Sequence, residues 1–279
     1  MKRILTIQDI SCMGRCSLTV ALPIISAMGV EAAIVPTAVL STHTGFSNFT
    51  FRDLTDDMEP IKEHWVREGF KFDAIYTGYL GSDRQMEIVN DYFDTFKGEN
   101  TIIIVDPAMA DNGSLYPGFD DYFAKKMTSL CTRADIILPN ISEAALMLDE
   151  PYPGEEADEE TIHRFLVKLS KLGAPICVIT GVTFADGTFG FAGYDSKKEK
   201  FFRYGTEKIS RKSHGTGDIF ASTFTGALMN GFETFEALKI GADFTCACIK
   251  NSANDPEGVT YAVNFEYEIP YLLKLIQRS

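Results

Sequence analysis

The 279-residue sequence lacks any run of 18 apolar residues, so it offers no candidate for a membrane-spanning helix. Its N-terminus also lacks the long apolar segment of a signal peptide, and Met1–Ile7 is more typical of a first buried strand. Positive charge is scarce as well. The net charge of −13 argues against a nucleic-acid partner, because phosphate binding normally brings a basic surface. We therefore expect a cytoplasmic protein with neither a membrane nor a nucleic acid as partner.

The cysteines lack the paired CxxC spacing of a zinc site, and several of them sit in apolar stretches. This pattern favours buried free thiols in a reducing compartment. The residues concerned are Cys12, Cys16, Cys131, Cys177, Cys246 and Cys248.

Two familiar phosphate-binding motifs are missing too. There is no Walker GxxxxGK[ST] sequence, and no GxGxxG follows the first predicted strand, where Asp9–Gly14 contains a single glycine. A nucleotide site in this chain must therefore be built in another way.

What the chain does contain is a regular alternation of short Ile- and Val-rich runs with amphipathic stretches, typical of strands buried on both faces of a parallel sheet. The predicted strands are Arg3–Ile7, Ala32–Pro36, Ala74–Thr77, Thr101–Val105, Ile136–Leu138 and Ile176–Thr180. The predicted helices between them are Ser17–Met28, Met58–Glu68, Arg84–Phe96, Asp120–Cys131, Glu143–Leu148 and Glu159–Leu172.

The pattern changes near residue 187. Gly187–Tyr194 and Glu199–Tyr204 predict an antiparallel hairpin at the edge of the sheet. Helices are expected over Thr216–Asn230, Glu233–Asn251 and Tyr267–Gln277. The whole pattern predicts an α/β protein with three αβα layers, a mostly parallel central sheet and right-handed crossovers. Since no internal repeat or long linker divides the chain, we expect one domain spanning residues 1–279.

The sequence Gly215-Thr216-Gly217-Asp218 opens one of these helices. Helix N-termini carry unpaired N–H groups and partial positive charge, so they bind phosphate oxygens well. A carboxylate costs energy there unless it has a chemical role. We interpret Asp218 as the base that takes a proton from a substrate hydroxyl while the amides stabilise a phosphoryl group. The alternative is an ordinary loop-to-helix turn.

Polar residues follow four of the predicted parallel strands, at the carboxyl ends where ligands bind in open sheets. They are Gln8 with Asp9, Asp106 with Pro107, Asn140 with Glu143, and Thr180 with Gly181. Any one of them can be a cap or turn residue, as Asn140 would be for the helix that follows it. Four such ends beside one helix N-terminus predict a ligand site.

Asp106, Asp111, Glu143 and Asp218 would bring several carboxylates into one cleft. Like charges at close range repel, so they need cations, and oxygen ligands suit Mg²⁺. Phosphoryl transfer combines such a metal with amides around the transferred group and a base on the acceptor.

On these motifs the chain resembles the ribokinase-like superfamily, and within it the pyridoxal kinase family. Gly215–Asp218 and Pro139-Asn140 with Glu143 are general to the superfamily. Ser41–Phe46 and Thr77–Ser82 are similar to motifs of vitamin B6 kinases and carry the substrate assignment. The resemblance implies a ribokinase-like fold, ATP as donor, and Mg²⁺ and K⁺ as cations. It also implies a homodimer, and pyridoxal, pyridoxamine or pyridoxine as acceptor.

The resemblance also assigns roles to matching positions. Asp218 matches the catalytic base, and Gly215, Thr216 and Gly217 match the anion hole. The positions matching cation and nucleotide sites are Asp106, Asp111, Glu143, Asn140 and Thr180. Next to these, we expect Gly181 and His214 to lie near the nucleotide. The residues expected in the ring pocket are Asp9, Ser11, His43, Thr44 and Tyr79.

Two positions depart from the family pattern. Asp9 stands where pyridoxal kinases usually carry a serine that touches the ring, and a carboxylate there favours a protonated pyridine nitrogen or a different polar edge. Ser11 can supply the hydroxyl instead. Ala110 replaces a glycine that usually follows the Asp-Pro segment.

Asp9 keeps a second hypothesis open, a hydroxymethylpyrimidine or sugar kinase of the same superfamily. Four apolar residues near the pocket motifs favour an aromatic acceptor, namely Met13, Phe46, Phe49 and Phe51. A third hypothesis is a non-catalytic regulator that binds nucleotide or vitamin B6. The intact Gly215–Asp218 motif argues against it, because a binding module has no use for the base.

Overall fold

The computed structural model describes residues 1–154, 157–210, 214–256, 259 and 261–277, and it is built around a nine-stranded sheet. The strands in chain order are β1 (Arg3–Ser11), β2 (Glu31–Leu40), β3 (Phe51–Asp53), β4 (Ala74–Thr77), β5 (Ile102–Val105), β6 (Ala110–Asp111), β7 (Ser114–Leu115), β8 (Ile136–Ile137), β9 (Ile176–Thr183), β10 (Phe189–Asp195) and β11 (Lys200–Thr206).

The large sheet has the order β11-β10-β9-β8-β5-β4-β1-β2-β3, and β6 with β7 forms a separate two-stranded ribbon. The pairings from β9 through β8, β5, β4 and β1 to β2 are all parallel. Antiparallel strands flank this parallel centre, with β10 and β11 at one side and β3 at the other. The predicted parallel sheet with an antiparallel edge hairpin is therefore confirmed.

Helices cover both faces of the sheet. In chain order they are α1 (Leu18–Ala27), α2 (Thr55–Glu68), α3 (Asp83–Phe96), α4 (Asp121–Cys131), α5 (Ile141–Met147), α6 (Glu159–Leu172), α7 (Thr216–Met229), α8 (Thr234–Asn254) and α9 (Ile269–Leu275). The core on one face packs α2 to α6, and the core on the other packs α1 and α7 to α9. These are the three αβα layers that the alternation predicts.

Local chemistry explains where several helices begin. The side chains of Ser82, Asp120 and Asp158 each accept a hydrogen bond from a first-turn N–H of α3, α4 and α6 respectively. Most predicted boundaries agree with the structure to within a few residues. The closing helix is shorter than predicted, because a 3₁₀ turn over Glu266–Glu268 precedes α9. The short strands β3, β6 and β7 were not predicted.

No helix in the described part of the chain combines the length and the apolar character needed to cross a membrane. The cysteines are free thiols. The prediction that they are buried is right for Cys16, Cys131, Cys177 and Cys248 but wrong for Cys12, which is exposed at the end of β1. Cys246 is partly buried.

Candidate active site

The N-terminus of α7 is shaped by a glycine that no other residue can replace without strain. Gly215 has φ of +82°, and a Cβ there would lie 2.1 Å from the carbonyl oxygen of Arg15. At Gly217, by contrast, a Cβ would have no atom of the described residues within 4 Å, apart from its chain neighbours and the backbone of its own helix. The loop before α1 therefore closely approaches Gly215, whereas there is room beside Gly217. The first N–H groups of a helix have no partner within the helix and can hold an anion.

Asp218 lies in the first turn of α7, and its carboxyl accepts a hydrogen bond from the backbone N–H of Ser17. Burial, followed by the nearby charges of Asp106 and Asp9, raises the pKa of Asp218 to about 7. A carboxyl with this pKa can accept and release a proton near neutral pH, as a general base must.

Both carboxylate oxygens of Glu143 accept hydrogen bonds from backbone amides. Its Oε2 accepts from the N–H of Asn140 at 2.8 Å, and its Oε1 accepts from Met109 at 2.9 Å and from Ala110 at 3.4 Å. The Asn140 side chain in turn caps α5, completing a capping box. This carboxylate therefore joins the start of α5 to the segment after β5, whatever else it binds.

Asn140, which follows β8, forms an isolated bridge with Thr180. Thr180 and Gly181 lie within β9, because this strand continues to Thr183, three residues beyond its predicted end. The Thr180 N–H donates to the Pro139 carbonyl at 2.9 Å, and Asn140 Nδ2 donates to the Ala110 carbonyl at 2.8 Å. Gly181 has φ of +72°. The expected nucleotide residues thus lie together, and their contact with a nucleotide stays a prediction.

A magnesium site fits part of the predicted ligand set. Burial and the charge of Glu143 raise the pKa of Asp106, and burial raises that of Glu143 as well. A divalent cation would relieve the repulsion between these two carboxyls, and Mg²⁺ commonly binds one or two carboxylates together with substrate phosphates. Asp111 is exposed and accepts from its neighbour Asn112 at 2.9 Å. Among the described residues, no three His, Cys, Asp or Glu side chains form a complete metal cage.

Two residues near these carboxyls were missed by the sequence analysis. Burial and the surrounding carboxyls, Glu143 first and Asp218 last, raise the pKa of Tyr116, so its phenol lies among the acidic groups. Ser17 has φ of +52° and aims its N–H at Asp218. A lone tyrosine and a lone serine in loops carry no sequence pattern that would have marked them.

The expected ring pocket combines an aromatic face with a buried acid. Tyr79 stacks on Phe119, with ring centroids 5.6 Å apart and an angle of 27° between the planes. Burial and then the charge of Asp9 raise the pKa of Tyr79 to about 12. Ser11 lies beside Asp9, donating its hydroxyl at 2.9 Å. The structure therefore brings Asp9, Ser11 and Tyr79 together near Asp218.

His43 and Thr44 occupy the loop after β2. His43 is buried, with Nδ1 accepting from the Gly45 N–H at 3.1 Å and Nε2 lying 3.0 Å from the Tyr261 carbonyl. Both ring nitrogens are thus bonded within the protein. Thr44 is exposed, and substrate contact by either residue stays a prediction. His214 is exposed and directly precedes Gly215.

Comparison with known proteins identifies relatives over nearly the whole chain. Residues 21–261 match the sequence profile of the phosphomethylpyrimidine kinase family. A Bacteroides thetaiotaomicron protein assigned as a phosphomethylpyrimidine kinase, crystallised with pyridoxal, is 37% identical with a TM-score of 0.92, covering 97% of this chain and 95% of that one.

Pyridoxal kinases are similar as well. The Lactobacillus plantarum pyridoxal kinase structure is 30% identical with a TM-score of 0.89, covering 99% of this chain and 98% of that one. The pyridoxal kinase PdxY of Granulibacter bethesdensis is 24% identical over an alignment of 283 positions, which covers 96% of each protein.

Proposed function

The chain belongs to the phosphomethylpyrimidine kinase family, and from that membership we propose that it transfers the γ-phosphoryl group of ATP to the hydroxymethyl group of pyridoxal, pyridoxamine or pyridoxine. The chain is a kinase of the ribokinase-like superfamily and is similar to pyridoxal kinases. The observation that carries the proposal is the position of Asp218, a carboxyl with a pKa of about 7 at the open N-terminus of α7.

In this reaction the Asp218 carboxylate takes the proton of the acceptor hydroxyl. The acceptor oxygen then attacks the γ-phosphorus in line, and the bond from that phosphorus to the β,γ-bridging oxygen breaks, which releases ADP. The N–H of Ser17 holds the carboxylate in place throughout. A positioned base of this kind contributes roughly 10²- to 10⁴-fold to the rate.

The amides of Gly215, Thr216 and Gly217 would stabilise the negative charge on the transferred group. The backbone of Gly215 lies so near Arg15 that a Cβ would be 2.1 Å from the Arg15 carbonyl oxygen, and this close approach limits how far these amides can move. Donors that need no rearrangement are effective in such a site, where loss of one costs about 10²- to 10³-fold in kcat.

Asp106 and Glu143 would hold Mg²⁺ together with the phosphates. When bound, the metal would neutralise charge on the phosphate oxygens. Asn140, Thr180 and Gly181 would lie along the nucleotide phosphates, and K⁺ beside Thr180 stays a prediction. The homodimer also stays a prediction.

Tyr79 would lie against the acceptor ring, because a flat electron-poor ring gains from an aromatic face. The stacking of Tyr79 on Phe119 would orient the tyrosine ring for this contact. This arrangement favours an aromatic acceptor over a sugar. Hydroxymethylpyrimidine remains the second candidate, since the family that matches residues 21–261 takes its name from a pyrimidine substrate.

The test is an ADP-release screen with purified protein, ATP and Mg²⁺. The acceptors are pyridoxal, pyridoxamine, pyridoxine, hydroxymethylpyrimidine and ribose, and mass spectrometry identifies each product. We expect stoichiometric ADP and a 5′-phosphate with at least one vitamer. Turnover of hydroxymethylpyrimidine alone would replace the proposal by its alternative. Tight binding of a vitamer without ADP release from any acceptor would favour the hypothesis of a non-catalytic binding protein.

A further inference from the structure

Asp9 is a buried acid that is held in one orientation. Its residue is 3% exposed at the carboxyl end of β1, where the register with β2 shifts between Gln8 and Ile10. Ser11 donates its hydroxyl to Asp9 Oδ2 at 2.9 Å, and the Ser17 hydroxyl provides a second hydrogen bond. Two short hydroxyl side chains therefore fix the direction of this carboxyl.

The carboxyl of Asp9 is close to the proposed base, because Ser17 bonds both groups: its hydroxyl donates to Asp9 and its backbone N–H donates to Asp218. Tyr79 follows β4, which pairs with β1 in parallel, so Asp9 and Tyr79 end neighbouring strands at one edge of the sheet. The charge of Asp9 also raises the pKa of Tyr79 and of Asp218. An acceptor that reaches Asp218 with its hydroxymethyl group and Tyr79 with its ring would therefore bring an edge of that ring near Asp9.

A buried carboxyl beside another carboxyl favours a cationic partner. Asp9 is 3% exposed, so its charge is poorly solvated by water, and this burial raises its pKa. The two hydroxyls that reach it are neutral donors. A charged N–H donor makes a shorter hydrogen bond of about twice the strength, and its positive charge also offsets the repulsion between Asp9 and Asp218.

We propose that Asp9 is a specificity-determining residue that accepts a hydrogen bond from the protonated ring nitrogen of a pyridine acceptor. The substrate class is then a hydroxymethyl pyridine bound as its pyridinium form. This inference rests on the proposed function, which supplies the identity of the ring. It adds that Asp9 selects a pyridine over other aromatic acceptors.

The experiment compares pyridoxine with its carbocyclic analogue, in which C–H replaces the ring nitrogen. Both acceptors keep the hydroxymethyl group that Asp218 would deprotonate. We expect the wild-type protein to favour pyridoxine by about tenfold to a hundredfold in kcat/KM, the effect of one hydrogen bond to a charged group. In Asp9→Asn, which keeps the shape but loses the charge, this ratio falls towards one. Equal ratios in the two proteins would overturn the proposal.

A second measurement needs no turnover. Ring protonation changes the ultraviolet spectrum of a 3-hydroxypyridine, so pyridoxine is titrated into each protein without ATP. We expect the spectrum of the ring-protonated form in the wild type and a shift towards the neutral form in Asp9→Asn. Identical bound spectra would contradict the assignment. Ser11→Ala, which removes one hydroxyl that orients Asp9, is expected to shift the spectrum less.

The two proposals can fail separately. If no acceptor yields ADP, the proposed kinase function fails while the bound spectrum still tests Asp9. If ADP forms but wild type prefers an aminopyrimidine to every pyridine, the kinase function stands and the pyridinium assignment fails. Thermal unfolding of Asp9→Asn checks that the variant is folded.

Discussion

The imidazole rings of His43 and His214 lie with their centroids 4.4 Å apart and their planes tilted by 34°, joining the loop after β2 to the residue that precedes Gly215. Since Nδ1 of His43 accepts from Gly45, its proton sits on Nε2 and is donated to the Tyr261 carbonyl. Burial and then His214 lower the pKa of His43, so this ring is neutral at neutral pH. One neutral imidazole thereby connects three separate segments beside the site.

We expect His43→Asn to raise the KM for the acceptor by about threefold to tenfold with little change in kcat, because one hydrogen bond contributes about 0.5–1.5 kcal/mol. Asparagine retains an acceptor for Gly45 but cannot reach Tyr261. His43→Gln is the matched control, since its longer amide can donate to that carbonyl. Steady-state kinetics measure KM and kcat, and amide hydrogen exchange over residues 261–265 reports the loss of the contact with Tyr261. Faster exchange in His43→Gln than in His43→Asn would contradict this role of His43.

Asp218→Asn is expected to abolish turnover almost completely while nucleotide affinity, measured by calorimetry, is retained. In the wild type the ionised carboxylate is the active form. With a pKa of about 7, kcat/KM should rise as the pH increases through 7 and then level off. Bound Mg²⁺ moves this rise to lower pH, because a nearby cation favours the carboxylate. Unchanged turnover in Asp218→Asn would remove Asp218 from the mechanism.

Periodicity and strand-end chemistry were sufficient for most of the fold. The predicted bounds of β4 and α6 agree with the structure at every residue, because both are bordered by clear signals: buried Ala74–Thr77 and the capping Asp158. Strand β3 was missed because Phe51–Asp53 is exposed and too short to show alternation.

The site was predictable in part, for a different reason. Residues at the ends of parallel strands meet at one edge, so Asp9, Asp106, Asn140 and Thr180 could be grouped from the sequence. The contact of His43 with Tyr261 could not, because it joins two loops 218 residues apart in the sequence, and neither loop carries a pattern that predicts its conformation.

Gly215 and Gly217, the two glycines that precede Asp218, should respond differently to substitution by alanine. Gly215→Ala forces a left-handed φ on a residue with a side chain and places Cβ 2.1 Å from the Arg15 carbonyl, so we expect a lower Tm. Gly217→Ala enters open space and should fold normally. Its methyl group would stand where the phosphoryl group approaches, so kcat should fall. Calorimetry and the ADP assay separate the effects. Equal loss of Tm in both variants would contradict this interpretation.

The pair of Asp106 and Glu143 predicts a pH dependence of stability in metal-free protein. Their pKa values are raised, so above pH 4–5 the folded state retains protons that the unfolded state has released. The free energy of unfolding therefore decreases as pH rises through neutral. We expect Tm to fall as the pH rises from about 5 to about 8, and Mg²⁺ with nucleotide to reduce the fall. Asp106→Asn should flatten it. A Tm that rises over this pH range would contradict the raised pKa values of Asp106 and Glu143.

Glu143 should contribute to folding without any metal. In Glu143→Gln an NH₂ group replaces one carboxylate oxygen and faces a backbone N–H, of Asn140 or of Met109, that has lost its acceptor. An unsatisfied buried group costs about 1–3 kcal/mol, so we expect a clearly lower Tm in buffer containing a chelator. The matched control is Asp111→Asn, an exposed carboxylate bonded to its neighbour, which should change stability by less than about 0.5 kcal/mol. If Glu143→Gln kept the wild-type Tm and lost only activity, its carboxylate would serve the metal and not the backbone.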